Sequence, residues 1–178
     1  MEVFDCRKEV GALAASDHKQ RPLALIEYQI IHRIDVGETG VEVAEFFTDP
    51  KWHTAGRMPY HFVVLRDGRI DYCVALDKIG DAAIGTNRAG IQIAVVGDFR
   101  KHPVRPRQSE ALVELCTALS EFTGKSMIEG HTDQTGRSGD INKVCPGKHL
   151  NVAGLRLEVR DRIDAKRRKQ LREQGITI

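Results

Sequence analysis

The stretch that most constrains this chain is IQIAVVGDF, residues 91–99. It is a nearly continuous apolar run of strand length. A strand with one wet face alternates apolar and polar residues. A run without that alternation is buried on both faces and needs helices packed above and below the sheet. The rest of the chain supplies such partners. From Pro106 a helix is expected, with Ala111, Leu112, Leu115, Cys116, Leu119 and Phe122 on one face at steps of three and four, closed by Gly124. From about residue 151 helical spacing returns, with Val152, Leu155, Val159 and Ile163 on one side. GVEVAEFF (40–47) reads as a short helix stopped by Asp49-Pro50.

Strands fill the intervals. IEYQIIHRI (26–34) is rich in β-branched and aromatic residues. YHFVVLRDGRIDYCVAL (60–76) is two apolar runs around Asp67-Gly68, the pattern of a tight-turned hairpin. SMIEGH (126–131) is a short strand. Helices alternating with strands, together with one hairpin, predict a single α/β domain with a central mixed β-sheet flanked by α-helices.

A chain of 178 residues buries roughly two thirds of its unfolded surface and needs no cross-link or metal in order to fold. Its four cysteines (Cys6, Cys73, Cys116, Cys145) are far apart with no CxxC pair, which argues against a disulfide framework or a zinc ribbon. The net charge of +2 gives no strong field to attract nucleic acid. No apolar run approaches the ~20 residues of a membrane span. MEVFDCRKEVGALAASDHK lacks the sustained apolar centre of a secretory signal. Synthesis in the cytoplasm without a signal peptide is therefore expected.

The segment EGHTDQTGRSGDINKVCPGKH (129–149) is too polar to be core, yet it holds His131, Lys143 and Cys145. His32 ends another strand. Two imidazoles and a thiolate are a ligand set that zinc accepts, and three protein ligands is the usual count for a catalytic zinc. His53, His61 or His149 could close the shell into a structural site, and His32 amid isoleucines is also compatible with an ordinary core histidine. Lys143, two residues before Cys145, would share its direction in an extended segment and could stabilise an oxyanion. A lone lysine on a polar loop is more often simply solvated. Asp35 and Asp133 are either acceptors for the outer nitrogens of the two histidines or plain surface acids. AKRRKQLR (165–172) is a basic stretch whose interspersed Asp161, Asp164 and Glu173 favour a solvated helix face over an anion-binding one.

These pieces, in this order, resemble the zinc N-acetylmuramoyl-L-alanine amidases, the group that includes phage amidase-type lysozymes and peptidoglycan recognition proteins. The resemblance rests on IIHRID, PYHFVVLRDGRI, GIQIAVVGDF, EGHTD and KVCPG, and spans about residues 26 to 160. It implies one zinc ion per chain on His32, His131 and Cys145, with Tyr60 and Lys143 as catalytic residues. The substrate implied is peptidoglycan or a muropeptide, cut between N-acetylmuramic acid and L-alanine. Ala94 sits about where other branches of the family carry a glutamate, which places the chain with the tyrosine branch. Many relatives have a histidine just before the IQIAVV-like strand. Here AIGTNRAG offers Thr86 and Asn87 instead. Asn87 and Arg88 are candidate substrate-binding residues. The resemblance also implies an N-terminal extension packed on the domain (1–25), a zinc amidase domain (26–160) and a charged C-terminal helical tail (161–178). The expected state is a monomer with neither nucleic acid partner nor membrane span, reaching the wall when released or exported by other machinery. A muropeptide-binding module of the same fold, without catalysis, is the alternative.

Overall fold

The computed structural model describes residues 1–14, 17–51, 56–125, 127–134 and 145–176. In chain order the elements are β1 (Val3–Asp5), α1 (Arg7–Leu13), a 3-10 turn (Leu23–Leu25), β2 (Tyr28–Ile34), α2 (Gly40–Thr48), β3 (Phe62–Val64), β4 (Ile70–Tyr72), β5 (Gly90–Val96), α3 (Pro106–Thr123), β6 (Met127–Gly130), a second 3-10 turn (His131–Gln134) and α4 (Val152–Glu173). The fold is the expected α/β domain with a mixed sheet. Six strands form it in the order β1-β4-β3-β5-β2-β6. β3 and β4 pair antiparallel around the Asp67-Gly68 turn, while every other pairing is parallel.

β5 is buried at every residue, as its unbroken apolar pattern requires. On one face Ile91, Ile93 and Val95 pack with Ile31, Leu112, Leu115, Cys116, Leu155 and Val159, beneath α3 and α4. On the other, Ala94 and Val96 join Ile34, Val43, Met58, Tyr60, Val63 and Cys73, beneath α1 and α2. Each fully buried isoleucine of this layered core contributes about 1.5–3 kcal/mol relative to exposure.

The helix ends follow local chemistry. Thr39 and Glu42 form a reciprocal capping box at the start of α2. Pro106 opens α3, and Gly124 closes it at φ 68°. Phe122, expected on the buried stripe of α3, is instead 60% exposed. It falls in the last turn at the margin of the buried arc, which also takes in Val113, Thr117 and Ser120. The sequence reading also passed over β1 and α1, where only Val10 is buried and the apolar signal is correspondingly weak. α4 runs unbroken to Glu173, and its basic residues meet acids of α3: Arg162 pairs with Glu110 and Lys166 with Glu121, both at 2.9 Å. No helix of the described residues is long and apolar enough to cross a membrane.

Candidate metal centre

β2 and β6 are adjacent parallel strands, with Ile31 opposite Gly130. Their C-terminal ends therefore stand side by side, where an open α/β sheet places its sites. His32 directly follows Ile31 along β2, and His131 directly follows Gly130, the last residue of β6. Their ring centroids are 4.6 Å apart. Cys145 reaches the same point because Thr132, the residue after His131, clamps it. Thr132 N and Oγ1 each donate to Cys145 O at 2.7 Å, and Cys145 N donates to Thr132 Oγ1 at 2.8 Å. Beyond the cysteine, Gly147 has φ 114° and lies so close to the Phe99 backbone that a Cβ would stand 2.6 Å from its carbonyl carbon. His149 N donates to Phe99 O. The Pro-Gly turn is thus pinned to the segment that follows β5 as well.

One ligand atom from each of His32, His131 and Cys145 lies within 4.8 Å of the others. Cys145 Sγ is 4.0 Å from His32 Nδ1. Ligands of a tetrahedral zinc would stand about 3.3–3.6 Å apart, so small side-chain shifts suffice for the three to hold one ion. The donor chemistry fits as well. His32 Nε2–H donates to Gln92 Oε1 at 2.8 Å, which leaves the Nδ1 lone pair turned toward the sulfur. The Arg33 backbone N–H points at Cys145 Sγ from 3.4 Å and favours the thiolate. Among the described residues three donors meet here. His61 is not one of them, for it sits on the sheet with Nδ1 accepting from Gln92 N and Nε2 facing Lys78 O. Burial holds His61 at about 3, far below its usual value, so it is neutral. His149 is exposed. His53 and Lys143 lie outside the described residues.

Tyr60 is buried, its ring 5.3 Å from that of His32 and 5.6 Å edge-on to Phe47 of α2. Burial, and then the nearby Cys145 charge, push its phenol well above the ordinary range, so the hydroxyl keeps its proton as a donor. Neither acid considered as a partner for the histidines reaches His32. Asp35 is exposed, and Asp133 Oδ2 accepts from Gly130 N and Arg156, which ties β6 to α4. Gln92 takes the outer nitrogen of His32. It is the one polar residue within the IQIAVV run, and a polar side chain in a strand buried on both faces must have a partner. That was the available signal.

The loop before β5 is built by its own residues. Asn87 Oδ1 accepts from Ala82 N and Ala83 N at 3.1 and 2.6 Å, and Asn87 Nδ2 donates to Asp81. Arg88 is exposed. Arg21, only 3% exposed, holds this loop from beneath by donating to the carbonyls of Leu76, Asn87, Arg88 and Gly90.

The N-acetylmuramoyl-L-alanine amidase family matches residues 20–148, most of the chain and all three converging residues. The chain belongs to that family. The enzyme class follows from membership: an N-acetylmuramoyl-L-alanine amidase. The endolysin of Klebsiella phage KP32 is 27% identical over 124 residues, covering 66% of this chain and 74% of that endolysin. Among solved structures, the Ph2119 endolysin from the Thermus scotoductus MAT2119 bacteriophage superposes with a TM-score of 0.73 at 21% identity, covering 89% of this chain and 99% of that one. Drosophila PGRP-LB, solved as a mutant in complex with tracheal cytotoxin, superposes with a TM-score of 0.62 at 21% identity, covering 86% and 92%. The two superpositions show that the amidase shares its fold with a phage endolysin and with a peptidoglycan recognition protein.

Proposed function

We propose that this amidase is zinc-dependent and hydrolyses the amide between the lactyl group of N-acetylmuramic acid and L-alanine of the peptidoglycan stem. The observation that carries the reading is the convergence of His32, His131 and Cys145, with Gln92 turning the ligand nitrogen of His32 inward. A zinc ion held by His32, His131 and Cys145 would supply Lewis acidity toward the substrate carbonyl and would make water acidic enough to act near neutral pH.

The chain's own groups do the remainder. Gln92 and Thr132 keep His32 and Cys145 in place. Tyr60, protonated and beside His32, donates a hydrogen bond toward the oxygen that becomes negative in the tetrahedral intermediate. Lys143, two residues before Cys145, supplies a cation to that same oxygen. Arg88, exposed on the loop that Asn87 folds and Arg21 supports, would contact the peptide or muramyl groups of the substrate. The enzyme acts on the cell wall after release or export by other machinery, as a monomer.

The experiment is mass analysis of muropeptides after incubation with the full chain, with and without chelator. Stem peptide released only in the metal-replete arm supports the reading. The fold shared with PGRP-LB, solved with tracheal cytotoxin bound, also fits one alternative, a muropeptide-binding module. Tight muropeptide binding by a zinc-loaded sample that releases no product over long incubation would establish that alternative instead.

A further inference from the structure

Cys6 and Cys73 are 67 positions apart in the sequence, yet their sulfurs stand 3.5 Å from each other. The sheet brings them together. β1 and β4 pair in parallel with Asp5 opposite Tyr72, so the next residue on each strand continues the same register. Cys6 N donates to Tyr72 O at 3.1 Å, which holds that register one step past the strands. A disulfide requires sulfurs about 2.05 Å apart, so closure asks for roughly 1.5 Å of approach. The N-terminal side can supply it, because β1 is an exposed edge strand and α1 anchors only Val10 in the core. Both sulfurs are free. Cys6 is half-buried, and Cys73 forms part of the wall of a cavity of about 600 Å³, shared with Arg7, His18, Met58 and Lys78.

We propose that Cys6 and Cys73 are a thiol pair that exchanges with a low-molecular-weight disulfide, such as oxidised glutathione, to give an intrachain disulfide stapling the N-terminal segment to β4. The Cys6 thiolate attacks one sulfur of the small disulfide and expels one small thiolate, leaving a mixed disulfide on Cys6. Cys73 gives its proton to the departing thiolate, attacks Cys6 Sγ and expels the second small thiolate, which takes up from solvent the proton that Cys6 released on ionising. Two protein thiols are oxidised, and one small disulfide is reduced to two thiols. The order follows from the surroundings. The hydrogen bond with Cys73 favours the thiolate at Cys6, while that same bond and burial keep the proton on Cys73. Cys116 is fully buried, and burial pushes its thiol far up, which leaves it inert.

A chain made where thiols are kept reduced, and acting where disulfides persist, would be stapled on arrival. That consequence rests on the cell-wall reading above, whereas the closure chemistry does not, so the two fail separately.

The test is incubation of the full chain with graded oxidised glutathione, alkylation of the remaining thiols, and peptide mapping by mass spectrometry. The expected product is a Cys6–Cys73 cross-linked peptide in monomeric protein, reversed by dithiothreitol. Closing so long a loop should raise the melting temperature by roughly 5–10 °C. Cys6→Ser and Cys73→Ser should each lose both the cross-link and the rise. A chain that stops at a stable glutathione adduct on Cys6, or that links Cys145 in place of this pair, overturns the proposal. The wild-type map decides the matter even if neither variant folds.

Discussion

Leucine at position 92 tests the site at its least obvious member. Gln92→Leu keeps approximately the same volume and removes the acceptor of the 2.8 Å bond from His32 Nε2. Gln92 is 0% exposed, so bulk water does not replace it. A buried donor deprived of its acceptor costs about 1–3 kcal/mol, and the metal-free protein should lose that much stability. His32 also loses the bond that selects its tautomer. Removing such a partner lowers metal affinity about 10–100-fold, equivalent to about 1.4–2.7 kcal/mol. Bound metal itself stabilises a fold, so urea melts of the chelated protein isolate the first effect and zinc competition against a calibrated chelator isolates the second. Gln92→Glu restores an acceptor and should recover much of the affinity. A leucine variant that binds zinc within about twofold of wild type and melts alike without metal would refute the assignment of Gln92 as the residue that orients His32.

Other perturbations bear on the remaining parts. Cys145→Ser exchanges a soft thiolate for a neutral hydroxyl and should lose most of its bound zinc on elemental analysis; full occupancy would show the ligand set to be different. Tyr60→Phe and Lys143→Ala should each lower kcat on a muropeptide by about 10²–10³ with zinc content unchanged, so wild-type turnover in either removes it from the mechanism. His61 resists protonation when folded, at about 3 against 6.5 for the free side chain. The unfolded chain therefore takes up a proton first on acidification. The stabilising effect of neutral His61 is complete above pH 6.5 and is lost as the pH falls toward 3, at no more than about 1.4 kcal/mol per pH unit. His61→Asn should flatten the fall in urea midpoint between pH 6.5 and 4, and parallel slopes would contradict a buried neutral imidazole. Arg21→Met deprives four carbonyl contacts of a charged donor and should cost about 3 kcal/mol or more by urea melt. A loss under about 1 kcal/mol would mean that the loop before β5 supports itself.

Much of the fold was legible because its elements advertise burial locally. IQIAVV has no polar alternation, and β5 is buried at all seven positions. Asp67-Gly68 marked the turn between β3 and β4. Pro106 and Gly124 marked the ends of α3 within a residue. Where apolar content was thin the reading failed, as at β1 and α1, which hold on through edge pairing with β4 and one buried valine. The site was legible in part through chemistry, since His and Cys at strand ends and on a polar loop have few ordinary uses. Gln92 was passed over because a single glutamine looks like noise in an apolar run until His32 is found across from it. Thr132 was passed over because its clamp on Cys145 spans 13 positions that carry no pattern.

By itself, then, the sequence determined the strands and helices with strong apolar patterns and most of the faces they bury, β1, α1 and Phe122 apart, because burial periodicity is written within a few neighbouring residues. It also determined the donor types a metal would meet. The resemblance grouped His32, His131 and Cys145, and the tertiary structure brings them to one point through the parallel pairing of β2 with β6 and the Thr132 clamp. The tertiary structure alone decided that Cys6 and Cys73 are neighbours, by laying β1 along β4. Strand order and register are properties of long-range packing, and no local pattern in the chain records them.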